Sequence, residues 1–136
     1  MKLTTDGASA LFTNLDADTP LKAAFLIRRT GVTIASWSKD AVSSEILSVM
    51  SATMIGAVDT IAQTIGCPSP QIVSIEADDC RMLAAHAEAQ GLLLVLIAQR
   101  STSESYLRHL SRQILAKIAK DVPSGETRRA LIHSRI

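Results

Sequence analysis

Side chains that could perform acid–base or metal chemistry are few and widely spaced in this 136-residue sequence. His86 and Glu88 would share one face of a predicted strand and could form an acid–base pair. A partly buried histidine beside a surface glutamate is the simpler interpretation. Asp78 and Asp79 resemble half of a calcium-binding loop, but the remaining ligands are missing and the pair is more typical of a hairpin turn. The sequence therefore nominates no catalytic residue.

The cysteines and histidines show no metal-ligand spacing. Cys67 and Cys80 form no recognisable pattern with His86, His109 or His133, and two cysteines in a chain of this length are expected to be reduced thiols. The glycines are isolated from one another, so no glycine-rich loop is available to cradle a phosphate. We therefore expect no metal, no cofactor and no enzymatic activity.

Composition excludes several classes of partner. The formal net charge is +1 and aromatic residues make up 3% of the chain, which argues against nucleic-acid binding. Residues Met1–Ala10 lack the apolar core of a signal peptide, and the long apolar stretch Ile46–Ile65 is interrupted by polar residues. These features predict a cytoplasmic protein without stable membrane insertion.

Hydrophobic periodicity predicts an α/β (α+β) domain with a five-stranded antiparallel sheet. The predicted strands are Ala23–Arg28, Val32–Trp37, Gln71–Glu76, Cys80–Glu88 and Leu92–Ala98. The predicted helices are a weak one at Ala8–Leu15, a long one from about Ser43 to Ile65, and a last one at Ser103–Asp121. The order is (α)ββαβββα. Strands Ala23–Arg28 and Leu92–Ala98 are apolar at nearly every position, so we expect them to be central neighbours with helices on both faces.

The long helix carries two different rows of residues. The apolar row is Leu47, Met50, Met54, Val58, Ile61 and Ile65, which we expect to face the core. The row of small residues is Ser48, Ala52, Gly56 and Thr60. Small side chains permit close approach of another backbone, and the only charged residues of the helix are Glu45 and Asp59. The helix is therefore predicted to be covered on two sides, by its own sheet and by a partner.

From about Lys22 to Val122, the chain resembles the roadblock family, also called the dynein light chain roadblock type, in the order and length of its predicted elements and in their pattern of residue types. The resemblance rests on AAFLIRRTGVTIAS, SSEILSVMSATMIGAVDTIAQTIG, PQIVSIEADDCRMLAAHAEAQGLLLVLIAQR and SESYLRHLSRQILAKIAKDV. It implies a homodimer, or a heterodimer with a related roadblock protein, in which the long helices pair and the third strands join two sheets. The implied helix contacts are Ser48, Ala52, Gly56 and Thr60, and the implied strand-edge contacts are Ile72, Ser74 and Glu76.

The chain also departs from the family pattern. Arg28 and Arg29 occupy a turn where relatives often carry acidic residues; they could reach an acidic partner surface or could simply be solvated. We divide the chain into an N-terminal segment (1–20), a roadblock-like domain (21–122) and a basic tail (123–136). The tail could dock as a short amphipathic helix or remain a disordered terminus.

The resemblance implies a non-catalytic adaptor or regulator that binds a Ras-like small GTPase and modulates hydrolysis or exchange. A small-ligand sensory module is one alternative, because a sheet flanked by helices can enclose a pocket. A structural, light-chain-type scaffold is another, and an enzyme that uses His86 is the weakest.

Overall fold

A computed structural model describes residue 12 and residues 19–87 and 91–121. Its strands are β1 (Leu21–Arg28), β2 (Thr33–Ser38), β3 (Ile72–Glu76), β4 (Cys80–Ala87) and β5 (Leu92–Gln99), and its helices are α1 (Ser44–Thr64) and α2 (Glu104–Asp121). This order confirms the predicted ββαβββα arrangement. The predicted helix Ala8–Leu15, except for the buried Phe12, and the tail 123–136 lie outside the described residues.

The five strands form one antiparallel sheet in the order β2-β1-β5-β4-β3. β1 and β5 are neighbours, with Phe25 opposite Val95 and Leu26 opposite Leu94. Both strands are buried on both faces, which explains why apolar residues fill consecutive positions in their sequences. The predicted central pair is confirmed.

Each face of the sheet is covered by one helix. On one face, α2 contributes a stripe of buried residues to a core cluster that includes Leu26 and Leu94. That stripe is Leu107, Ile114 and Ile118. On the other face, Ile55 of α1 packs with Phe25 and Val95. The domain therefore has two apolar layers separated by the sheet, as the sequence predicted.

The ends of α1 follow from local chemistry. Ser43 caps the helix, because its hydroxyl accepts a hydrogen bond from the backbone N–H of Ile46 at 3.3 Å. Gly66 ends it with φ +76°, and its N–H donates to the carbonyl of Gln63 at 3.2 Å. Between the first two strands, Gly31 turns β1 into β2 with φ +98°, and a side chain there would lie 3.1 Å from Cα of Val49. These three residues fix where α1 begins, ends and rests on the β1–β2 turn.

The predicted core row of α1 was wrong at its most apolar positions. Met50, Ile61 and Ile65 are 57%, 61% and 68% exposed. The residues that face the sheet are instead Ser48, Ser51, Ile55, Asp59 and Ala62. Leu47 and Met54 are half-buried at the margin of that contact. Small side chains let the helix lie close to the sheet, so the more hydrophobic row is left on the outside.

Candidate protein-binding site

The outer face of α1 is apolar and carries no charge. We use this name for the exposed residues Ile46, Val49, Met50, Thr53, Gly56, Ala57, Thr60, Ile61, Thr64 and Ile65. Between Ile46 and Ile65 the only ionisable side chain is Asp59, and it is buried. A helix that meets water on this side would normally show charged residues there. An uncharged apolar face of this length marks a surface that another protein or a membrane covers.

The hydroxyl groups of this face bond to their own helix. Thr53 donates to the carbonyl of Val49 at 2.8 Å, Thr60 to that of Gly56 at 3.0 Å, and Thr64 to that of Thr60 at 2.8 Å. Such bonds to the carbonyl four residues earlier satisfy the hydroxyl within the helix. The threonines can therefore lose water without leaving an unpaired donor.

The predicted row of small residues winds from the core to the solvent. Ser48 is 1% exposed and its hydroxyl is 2.6 Å from that of Thr33 in β2, so its side chain belongs to its own domain and offers no surface to a second helix. Ala52 is half-buried, whereas Gly56 and Thr60 are exposed. Residues spaced four apart shift gradually around the helix axis, because one turn takes 3.6 residues. Its C-terminal part thus merges with the outer face.

Among the described strands, β3 is one edge of the sheet and pairs with β4 alone. Its predicted contact residues point to the α2 side: Ile72 packs on that core, Ser74 lies near Glu104 at the start of α2 and lowers the pKa of its carboxylate, and Glu76 pairs with Arg81 and Arg100 at 2.9 and 3.0 Å. No strand within residues 19–87 and 91–121 pairs with its outer edge, and an unpaired edge is the usual starting point of sheet extension.

Arg28 and Arg29 differ in their surroundings. Arg29 donates from Nη2 to Oδ2 of Asp59 at 2.5 Å; its side chain is 53% exposed and that of Asp59 12%. Arg28 is exposed and has no ion-pair partner among residues 19–87 and 91–121. The sequence interpretation missed Asp59 as the partner of Arg29. The signal was present, because Asp59 is the single charge inside an otherwise uncharged helix.

An open cavity of about 360 Å³ lies beside this ion pair. Its wall includes Arg29, Asp59, Gln63, Gln71 and His86. The proposed partner of His86, Glu88, lies outside the described residues. Nε2 of His86 is buried and has no hydrogen-bond partner in the part of the chain that the structure describes.

The same described residues contain no group of three histidine, cysteine, aspartate or glutamate side chains placed to hold a metal ion. Cys67 and Cys80 are free thiols. One helix, α1, is long and apolar enough to cross a bilayer, with a mean hydropathy of 1.4 over its best window. The same property is found in helices whose apolar face is covered by protein, so it does not distinguish the two.

Comparison with solved structures identifies the fold. No family model and no curated protein matches the sequence. Myxococcus xanthus MglB superposes with a TM-score of 0.71 at 19% identity, over 86% of this chain and 92% of that one. A Roadblock/LC7 domain from Streptomyces avermitilis gives 0.69 at 14% identity, over 82% and 90%. MglB solved in a tetrameric arrangement gives 0.68 at 17% identity, over 79% and 81%.

The superpositions define the fold of this chain. Similarity that covers most of both chains, with the same order of strands and helices, shows that this chain has the roadblock fold. The predicted family resemblance is thus confirmed at the level of the fold. The similar structures carry the names of roadblock and MglB proteins.

Proposed function

We propose that this protein is a dimeric, non-catalytic adaptor or regulator of a Ras-like small GTPase in the cytoplasm. The observation that carries the proposal is the uncharged outer face of α1, which supports contact with a protein partner. The roadblock fold supplies the direction, because the bacterial and archaeal members of the family that the sequence resembles bind small GTPases. One similar structure, MglB in a tetrameric arrangement, supports self-association.

The dimer we propose uses the helix face and the strand edge together. A twofold axis perpendicular to the sheet would pair β3 with the β3 of a second copy and bring the two α1 helices to the same face. Ala52, Gly56 and Thr60 would contribute to the helix contact, now joined by the exposed apolar residues. The strand contact would involve the edge formed by Ile72, Ser74 and Glu76.

The expected free energies of association favour helix and strand contacts together over helix pairing alone. The outer face holds five large apolar side chains that are more than half exposed: Ile46, Val49, Met50, Ile61 and Ile65. Burying the rest of each contributes on the order of 1 kcal/mol, so two helices together contribute about 10 kcal/mol. Association costs about 4–15 kcal/mol in lost freedom. The backbone hydrogen bonds of a joined sheet would supply the remaining stabilisation.

The oligomeric state tests this half of the proposal. Met50→Glu and Ile61→Glu should convert the dimer to a folded monomer, because each places a charge in the centre of the contact. Tyr106→Glu is the matched control, since Tyr106 is an exposed apolar side chain on α2. Sedimentation equilibrium with circular dichroism measures both properties. A wild-type monomer at high micromolar concentration, or dimers that survive both substitutions, would contradict the proposal.

The GTPase half needs a nucleotide-dependent test. Immobilised protein is exposed to native extract loaded with GDP or with a non-hydrolysable GTP analogue, and retained GTPases are identified and purified. We expect one nucleotide state to be retained, and the rate of hydrolysis or exchange of the purified GTPase to change, because binding would shift the populations of its switch segments. Equal retention in both states, or unchanged rates at saturation, would refute it.

Arg28 is the better placed of the two turn arginines for contacting such a partner, because Arg29 already pairs with Asp59. Arg28→Ala should weaken capture of an acidic partner surface. Arg112→Ala, an exposed arginine on α2, is the control that removes the same charge from the other side of the sheet.

A further inference from the structure

The side of α2 that faces away from the sheet carries only positive charge over most of its length. Between Ser105 and Ile118 the sequence contains no aspartate or glutamate, whereas Arg108, Arg112 and Lys117 are basic. The apolar stripe of this helix is buried against the sheet, so the basic residues lie beside it or on the outside. This helix is therefore the opposite of α1, whose outer face is uncharged and apolar.

The three basic side chains lie along both flanks of α2. Arg108 and Arg112 are four residues apart and share one side of the helix. Lys117 lies about two and a half turns beyond Arg108, which places it on the opposite side. Arg112 is exposed, and the other two residues are half-buried. Neither Arg112 nor Lys117 has an ion-pair partner among the side chains that the structure describes.

Residues next to α2 add further positive charge. Arg81 alternates along β4 with the core residues that pack against α2, and Arg100 follows β5. The carboxylates in this region are both engaged: Glu76 pairs with Arg81 at 2.9 Å and with Arg100 at 3.0 Å, and Glu104 pairs with Arg108 at 3.6 Å. We name the five basic side chains around α2 the basic face; they are Arg81, Arg100, Arg108, Arg112 and Lys117.

The whole sequence shows the same asymmetry of charge. Residues 104–136 contain seven lysines and arginines and three acidic residues, whereas residues 1–103 contain seven and ten. A chain of nearly neutral net charge thus concentrates positive charge in its C-terminal quarter, a pattern typical of contact with an anionic surface. In the proposed dimer, a twofold axis perpendicular to the sheet would place both α2 helices on the same side and double the basic face.

The shape of this surface favours a planar partner. A helix lying on a sheet is convex, and its basic side chains diverge to both flanks, so they cannot enclose one acidic segment in a groove. Dispersed lysines and arginines on a convex surface match the phosphate groups of an anionic lipid bilayer, which form a flat array. Tyr106, which is 41% exposed on the same helix, has an aromatic body and a polar tip suited to the lipid headgroup region.

We propose that the basic face attaches this protein reversibly to the surface of an anionic lipid bilayer, with its arginine and lysine side chains donating hydrogen bonds to lipid phosphates. The contact is peripheral, because the basic face contributes charge and no large apolar side chain for insertion. It leaves the outer face of α1 free for protein contacts. Each chain carries a basic face, and the inference rests on the proposed dimer only for the doubling.

Vesicle co-sedimentation of the full chain tests this inference. Vesicles of equal parts phosphatidylcholine and phosphatidylglycerol should retain the protein, and pure phosphatidylcholine vesicles should not. Retention should fall as salt is raised, because the charges are exposed. Arg112→Gln combined with Lys117→Gln should lower the partition coefficient about tenfold or more. Lys22→Gln combined with Lys39→Gln, which removes the same net charge from exposed positions outside the basic face, should change it little. Circular dichroism checks that both variants are folded.

The outcomes separate this inference from the proposed dimer. Equal retention by both kinds of vesicle, or equal loss in the two double variants, would overturn the role of the basic face. Retention on immobilised polyglutamate without binding to anionic vesicles would overturn the lipid assignment in favour of an acidic protein. A wild-type monomer that still binds anionic vesicles through Arg112 and Lys117 would overturn the dimer and support the basic face.

Discussion

Nη2 of Arg29 lies 2.5 Å from Oδ2 of Asp59, and this single contact ties the β1–β2 turn to a helix thirty positions further along the chain. The two side chains are unequally exposed, with the guanidinium reaching solvent and the carboxylate enclosed. Loss of the arginine would therefore leave an enclosed charge without a partner, whereas loss of the carboxylate would leave the arginine still hydrated. This asymmetry determines what each substitution should do.

Arg29→Ala should lower the free energy of unfolding by about 1–3 kcal/mol, because it leaves the Asp59 carboxylate enclosed without its donor. Urea unfolding measures the change. Arg28→Ala is the control at the neighbouring position and should cost less than about 0.5 kcal/mol. Adding Asp59→Ala to the Arg29 variant should restore part of the loss. Equal effects of the two arginine substitutions would show that the ion pair does not support α1.

Gly31→Ala should destabilise the domain by about 1–3 kcal/mol, because it strains a positive φ and presses a Cβ to 3.1 Å from the backbone of Val49. Gly91→Ala is the matched control. Gly91 also has a positive φ, +64°, but no atom of the described residues lies within 4 Å of a Cβ there, so backbone strain of about 1 kcal/mol is the whole expected cost. Thermal or urea unfolding of both variants separates the cost of the positive φ from the cost of the steric clash with Val49. Similar costs would show that Val49 moves aside.

Gly56 allows helix stability and association to be measured apart. No atom of the described residues lies within 4 Å of a Cβ built at this position, so Gly56→Ala should stabilise the isolated chain by about 0.5–1 kcal/mol through helix propensity. Gly56→Leu should leave the chain folded and weaken the dimer, because the larger side chain would separate the paired helices. Gln113→Leu, which adds the same group on α2, should not affect association. Sedimentation equilibrium decides, and an unchanged dimer in Gly56→Leu would place the contact elsewhere.

Ser74 should control the ionisation of Glu104. A hydrogen bond from the Ser74 hydroxyl, followed by the charge of Arg108, holds the pKa of Glu104 below its ordinary value. Because the folded-state pKa is the lower one, Glu104 stabilises the fold at pH above its unfolded pKa, and this contribution disappears as pH falls through the folded pKa. Ser74→Ala should raise the pKa toward its ordinary value, as measured by carboxyl-detected NMR titration. Ser36→Ala on the exposed part of β2 should leave it unchanged.

The sheet could be predicted from the sequence because β1 and β5 are buried on both faces and so leave no ambiguity in their apolar runs. The rotation of α1 could not. Two rows of its residues were compatible with the core, and the choice depends on Thr33, which meets Ser48, and on Arg29, which meets Asp59. Both partners are distant in sequence. Hydrophobicity alone selects the row containing Met50 and Ile61, which the fold leaves outside.

Of the candidate surfaces, one could likewise be predicted from the sequence and one could not. The strand edge was predictable from the order of elements, and β3 lies where the order requires. The cavity was not, because Gln63, Gln71 and His86 come from three elements and form a wall only after the sheet has assembled. Ser48 is buried within its own domain while Gly56 and Thr60 are exposed, because a regular spacing of four residues does not keep a constant direction around a helix.

The threonines of α1 donate their hydroxyl hydrogens to backbone carbonyls of the same helix, so they need no hydrogen-bond acceptor from a partner. Steric fit, and not matched donors and acceptors, would then govern which helix is accepted. Two sister chains of similar contour could exchange with one another at almost no energetic penalty. Selectivity would then depend on charged residues in the turns that surround the helix contact. After a gene duplication, one or two substitutions in those turns could change which chain is bound while the helix contact stays the same.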